Sequence, residues 1–220
     1  MINNKFRKLK IKVCGMRDRE NIQALVGLNP DYIGFIFYER SKRYVGELFD
    51  PAITGLVPPH IEKVGVFVNA DPDYVDQKFN QYKLHYAQLH GNESPRYCKK
   101  LADRGIQIIK AFGVDDERSF SGMNDYIDCC HFFLFDTRSH LAGGSGKKFN
   151  WKLLDSYTHS KSFFLSGGIG PDDHREVAGL SHLSIHALDI NSRFELKPGY
   201  KNIDIVKEFI EKIRKDNDEI

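Results

Sequence analysis

Short apolar, β-branched or aromatic runs return eight times along this chain, and stretches of helical periodicity lie between them. The runs are Lys10–Cys14, Asp31–Phe37, Lys63–Val68, His85–Leu89, Ile106–Phe112, His131–Phe135, Ser162–Leu165 and His182–Leu188. Among the intervening segments, Asp18–Val26 sets Ile22, Leu25 and Val26 on one face, and Asp71–Tyr82 does the same with Tyr74, Val75 and Phe79. Ser94–Ala102 opens with a capping serine and Pro95 at the first helical position. Asn202–Arg214 brings Ile205, Val206, Phe209, Ile210 and Ile213 to one side. Strand–helix alternation implies parallel strands joined by right-handed crossovers. Eight such strands predict an α/β fold, a single-domain (β/α)8 TIM barrel; a doubly wound open sheet uses the same units and is the alternative. No Ser/Gly-rich linker or charge block divides the chain, so one barrel domain is expected over 10–217, after a flexible lead-in of residues 1–9.

Composition narrows the partners. With 32 basic and 30 acidic residues the formal net charge is +2, and the basic residues are dispersed, which gives no footprint for nucleic acid. No apolar run is long enough for a membrane helix, and the polar amino terminus lacks a signal core. The four cysteines, Cys14, Cys98, Cys129 and Cys130, form no CxxC pair, so reduced thiols and a cytoplasmic location are expected. Cys129-Cys130-His131 invites a metal reading. Neighbours entering a strand point to opposite faces, however, and no second cluster has ligand spacing, so packing is the expectation and no metal is predicted.

Polar and glycine-rich clusters follow the strands, and in a barrel those ends meet at one mouth. Strand ends attract turn residues anyway. Turn chemistry does not explain Cys14 at the end of the first run, Asp136 after Phe132-Phe133-Leu134-Phe135, and the basic loop Arg40-Ser41-Lys42-Arg43. Two titratable groups on different strand ends suit a proton-shuttling site. Gln88-Leu89-His90-Gly91 ends the fourth strand. Ser166-Gly167-Gly168-Ile169 ends the seventh and Asp189-Ile190-Asn191-Ser192 the eighth, where a barrel commonly binds phosphate. Gly143–Gly146 reads as a lid or a loose connection.

Taken together, these motifs resemble the phosphoribosylanthranilate isomerase family. The resemblance runs from Lys10 to about Phe209 and rests on Lys12-Val13-Cys14-Gly15-Met16, Asp31–Phe37, Ser41–Val45, Val64–Val68, Gln88–Gly91, Phe135-Asp136-Thr137, Gly143–Gly146, Ser166–Ile169 and Asp189–Ser192 with Pro198-Gly199. It implies a TIM barrel without cofactor or metal, acting on a small phosphosugar as a monomer or homodimer. It further implies Asp136 as general acid, Cys14 as general base, and Arg43 as the contact for an anthranilate carboxylate. Gln88, His90, Gly167, Gly168, Asp189, Asn191 and Ser192 would bind substrate. The chemistry inverts ordinary protonation states: a carboxyl of reference pKa about 3.9 must keep a proton and a thiol near about 8.5 must lose one. Phe135 is expected to favour the first and the following helix the second.

Three positions depart from the family pattern: Lys42 replaces a common proline, Arg193 a common glycine, and Asn202 a common acid. An analogous histidine-pathway isomerase carries aspartate where this chain has Cys14. A non-catalytic phosphosugar-binding protein would not need both Cys14 and Asp136.

Overall fold

A computed structural model of the chain describes residues 9–138 and 148–218. The lead-in up to residue 8 and the Gly143–Gly146 run lie outside the described residues. The eight parallel strands are β1 (Lys10–Val13), β2 (Tyr32–Ile36), β3 (Glu62–Phe67), β4 (Tyr86–Leu89), β5 (Ile108–Val114), β6 (Phe132–Thr137), β7 (Phe163–Leu165) and β8 (Ile185–Ile190). Each pairs with its sequence neighbour, and β8 returns to β1 with Lys12 opposite Asp189, which closes the barrel.

Helices α1 (Arg19–Val26), α2 (Pro72–Gln81), α3 (Pro95–Ala102), α4 (His174–Ala178) and α5 (Ile203–Asp218) cover the outside. Asp18, Asp71 and Ser94 cap the first three by accepting from backbone N–H groups of Asn21, Asp73 and Tyr97. Asn202, despite replacing an acid, accepts from the Ile205 N–H at 3.3 Å at the start of α5. Asparagine is an equally good cap. After β2, β5 and β6 the described connections carry 3₁₀ turns in place of α-helices, which is how a short chain completes the barrel.

Two layers of core follow from strand alternation. Inward side chains, including Tyr32, Val64, Tyr86, Ile109, Leu134 and Phe164, fill the barrel. Outward ones, such as Ile11, Phe35, Phe67 and Phe135, meet the helices, where Val206, Phe209, Ile210 and Ile213 of α5 are all buried. Burying each such side chain stabilises by roughly 1.5–3 kcal/mol before entropy is counted.

Two strand ends differ from the sequence expectation. Asp136 lies inside β6 and Asp189 inside β8, because inter-strand bonding carries both strands further than their apolar runs. A small antiparallel hairpin, β9 (Glu195–Lys197) and β10 (Tyr200–Lys201), follows β8. Its turn uses Gly199 at φ +82, where a Cβ would also collide with Arg17.

Candidate active site

The mouth is assembled from backbone contacts at the carboxyl ends of the strands. Cys14 donates its N–H to Ile190 O at 3.0 Å, and the N–H groups of Gly15 and Met16 both reach Gly34 O. The chain therefore folds over β2 and turns the Cys14 side chain inward, against Ile36 and Val66. Gly34 makes room for the sulfur: a Cβ there would stand 2.7 Å from Cys14 Sγ.

Asp136 is held from three sides. Thr137 N–H donates to Oδ1 at 2.8 Å, and His90 Nε2 lies 3.2 Å from Oδ2. With its proton on Nε2, His90 accepts at Nδ1 from Gln88 Nε2 at 2.8 Å. Gly167, at φ +89, presses on the same carboxylate; a Cβ would come within 2.9 Å of Oδ1. Phe135 does not share this environment. It points outward to Phe120, Tyr157 and Phe163, so it cannot shape the acid as expected from the sequence.

A pocket of ≈ 730 Å³, its open mouth included, gathers Cys14, Gln88, His90, Asp136, Gly167, Gly168, Asp189, Asn191 and Ser192. Ile36, Val66, Val68 and Ile169 supply apolar wall. Buried Gln88 Oε1 has no hydrogen-bond partner among the described residues, an acceptor suited to a ligand hydroxyl. Gly168 also has positive φ, +70. Arg193 does not; its guanidinium lies over Gly170, where a Cβ would meet Nε at 2.8 Å, and so spans the β7 and β8 loops. At Lys42 the loop lacks its proline but is tied by Arg17 Nη1 to the carbonyls of Lys42 and Tyr44.

Arg43 is placed differently from the other predicted residues. It is buried beside the pocket, and Nε and Nη2 hold Glu195 in a two-pronged pair, with Nη2 to Oε2 at 2.7 Å. Lys201 completes the cluster, donating to Glu195 Oε1 at 2.8 Å and Asn191 Oδ1 at 2.6 Å. Burial alone would raise the Glu195 carboxyl, but Arg43 and Lys201 together hold it below its ordinary value. Lys201 is pushed down to about 8 by burial, which outweighs Glu195.

The thiol also departs from expectation. Burial pushes Cys14 up, with Lys12 and then Lys201 opposing it, while Asp189 adds to the rise. No helix start lowers it, since α1 begins only at Arg19. Lys12 is fully buried and pairs with Asp189 at 2.8 Å. Sequence reasoning missed Lys12, Glu195 and Lys201. Lys12 could have been found: in Lys10-Ile11-Lys12-Val13-Cys14 period two puts Lys12 on the face of Cys14.

The other sulfurs correct a further expectation. Cys129 and Cys130 precede β6 in a turn, so they do not point apart; their sulfurs lie 3.9 Å from each other and Cys98 joins them within 4.8 Å. No fourth ligand joins them among the described residues. Burial raises the Cys129 thiol, and its S–H points at Tyr126 O at 3.5 Å, the arrangement of a neutral packed thiol.

Comparison with known proteins converges on one group. A family described as N-(5'phosphoribosyl)anthranilate (PRA) isomerase matches residues 11–212. An N-(5'-phosphoribosyl)anthranilate isomerase of Parabacteroides distasonis is 45% identical over 204 residues, 92% of each chain. A crystal structure of generated monomers of the dimeric phosphoribosylanthranilate isomerase from Thermotoga maritima superposes with a TM-score of 0.79 at 32% identity, covering 94% of this chain and 99% of the other. Another structure, in complex with reduced 1-(o-carboxyphenylamino)-1-deoxyribulose 5-phosphate, gives 0.80 at 32% identity with the same coverage.

Proposed function

The chain belongs to the N-(5'-phosphoribosyl)anthranilate isomerase family, and from that premise we propose how its residues share the work. The reaction is an Amadori rearrangement in tryptophan biosynthesis. It converts N-(5'-phosphoribosyl)anthranilate to 1-(2-carboxyphenylamino)-1-deoxyribulose 5-phosphate. Asp136 protonates the ring oxygen as the C–O bond at C1 breaks, leaving an iminium. That iminium acidifies the C2 hydrogen, which Cys14 removes to give an enolamine that becomes the ketone. The observation that carries the assignment is a thiol and a carboxyl on different strands lining one pocket beside the β7 and β8 loops. His90 keeps Asp136 aimed, and Gln88 Oε1 accepts from a ribose hydroxyl. The enzyme works in the cytoplasm as a monomer or homodimer.

Rescue of a tryptophan auxotroph lacking this step, without rescue of the corresponding histidine auxotroph, tests the activity. Failure of the first rescue by a folded, expressed protein would overturn it.

The phosphate is proposed to sit between Gly167-Gly168 and Asn191-Ser192, with Arg193 adding charge at the rim. Inorganic phosphate should compete with substrate. Gly168→Val is a poor probe, since any side chain is strained at φ +70. Ser192→Ala is cleaner and should weaken competition about 2–10-fold, the worth of one hydrogen bond. Unchanged competition would move the anion elsewhere.

Arg43 remains the proposed carboxylate contact, now as a rigid one because Glu195 fixes its fork. Arg43→Ala should cost roughly 1.5–3 kcal/mol, mostly in KM. A substrate analogue without the carboxylate should bind wild type less well than substrate, and the variant should not discriminate. Equal losses in both proteins would assign the carboxylate to another partner.

A further inference from the structure

Lys12 is the buried charge that these proton transfers leave unused. It has 0% of its surface exposed and precedes Cys14 by two residues, so both side chains enter the barrel. An isolated ammonium at such a depth would shed its proton. Asp189, its register partner on β8, prevents that through the 2.8 Å ion pair. The same ammonium enters the barrel one inward position before Cys14, and its positive charge favours the ionised sulfur.

The other groups around the sulfur are apolar, repulsive or committed. β2 presents Gly34 and Ile36, and β3 presents Val66. Asp189 from β8 repels a thiolate. Lys201 from β10 attracts one, but its ammonium is engaged by Glu195 and Asn191. Arg43, whose Cδ packs beside Gly15, is bound to Glu195. Asp136 and His90 act on Asp189 with opposite signs.

We propose that Lys12 is a positioning residue for the isomerisation: its ammonium, anchored by Asp189, is the countercharge that lets Cys14 stand as a thiolate while it takes the C2 proton. The inference rests on Cys14 being the base. In that step the C2–H bond breaks, an S–H bond forms, and the electron pair moves toward the iminium nitrogen. Lys12 donates no proton to substrate. It is divided between Asp189 and the sulfur, and its share on the sulfur grows as the thiol ionises.

The test reads the thiol itself. Iodoacetamide alkylation of Cys14 is followed against pH in wild type, Lys12→Met and Lys12→Arg, with Cys14→Ala subtracting any reaction of other thiols. In Lys12→Met the midpoint should rise by about one pH unit or more, the usual effect of losing an adjacent opposite charge. In Lys12→Arg, which keeps the charge, it should stay below that of Lys12→Met. Burial is what pushes the Cys14 thiol up, so general loosening of the site would lower the midpoint toward an ordinary solvated thiol and cannot produce the rise. An unmoved or lowered midpoint in folded Lys12→Met, or an equal rise in Lys12→Arg, would overturn the proposal. If Lys12→Met does not fold, Lys12→Gln takes its place, and a midpoint there at or below wild type overturns it. The base assignment fails separately: near-normal turnover of Cys14→Ala would remove it while leaving the alkylation shifts intact.

Discussion

Cys14→Ala is expected to lower kcat by about 10²–10⁴-fold with the barrel intact, the usual contribution of a positioned base. No other cysteine lines the pocket, and Ile36, Val66 and Gly34 cannot accept the C2 proton in its place. Truncation removes one sulfur from a wall that already lacks a side chain at Gly34, so a modest loss of stability should accompany a large loss of rate. Cys98→Ala and Cys129→Ala, in the thiol cluster away from the pocket, should leave kcat nearly unchanged. Steady-state turnover with thermal melts of all three variants checks this. A folded Cys14→Ala enzyme with near-normal turnover would end the assignment.

Asp136→Asn should slow ring opening by a similar order while substrate still binds. The amide keeps an acceptor for Thr137 N–H but cannot cycle a proton. Under the proposed roles wild type needs one group deprotonated and the other protonated, so kcat/KM should follow a bell whose limbs are macroscopic constants of the pair. Of that pair only the thiol titrates in Asp136→Asn. Burial pushes that thiol upward, and the base works deprotonated, so residual kcat/KM should climb through alkaline pH with no falling limb from the acid. Stopped assays from pH 5 to 9 would show it. A bell surviving in the variant would mean that another residue supplies the proton.

The barrel was legible in the sequence because inward and outward side chains alternate and each strand stops at polar or turn residues. Cys14, Asp136 and the glycines after β7 were legible for the same reason, since the fold sends strand ends to one mouth. What stayed hidden depends on contacts far apart in the chain. The Arg43–Glu195 pair spans 152 positions and Lys12–Asp189 spans 177, and no local pattern records either. Strands of two and three residues in the β9–β10 hairpin are too short to show a period. The thiol cluster was misread because Cys129 and Cys130 were assumed to alternate like strand residues, whereas the chain there still turns. The direction of the Cys14 shift was misread because the sequence shows a helix following but not its distance from the sulfur or the depth of burial.

The seam where β8 meets β1 makes chemical competence a property of the finished chain. Lys12 and Cys14 are synthesised long before Asp189, 177 positions on from Lys12, yet Lys12 and Asp189 form one buried pair. A nascent polypeptide that stops after β6 already holds both the thiol and the carboxyl. It has no partner for the buried ammonium and no wall to close the pocket. Docking of β8 therefore completes the enclosure and pairs the ammonium beside Cys14 in a single event. Circular permutants should tolerate a new terminus wherever this seam can still zip shut, and fragments divided ahead of β8 should be inert until mixed.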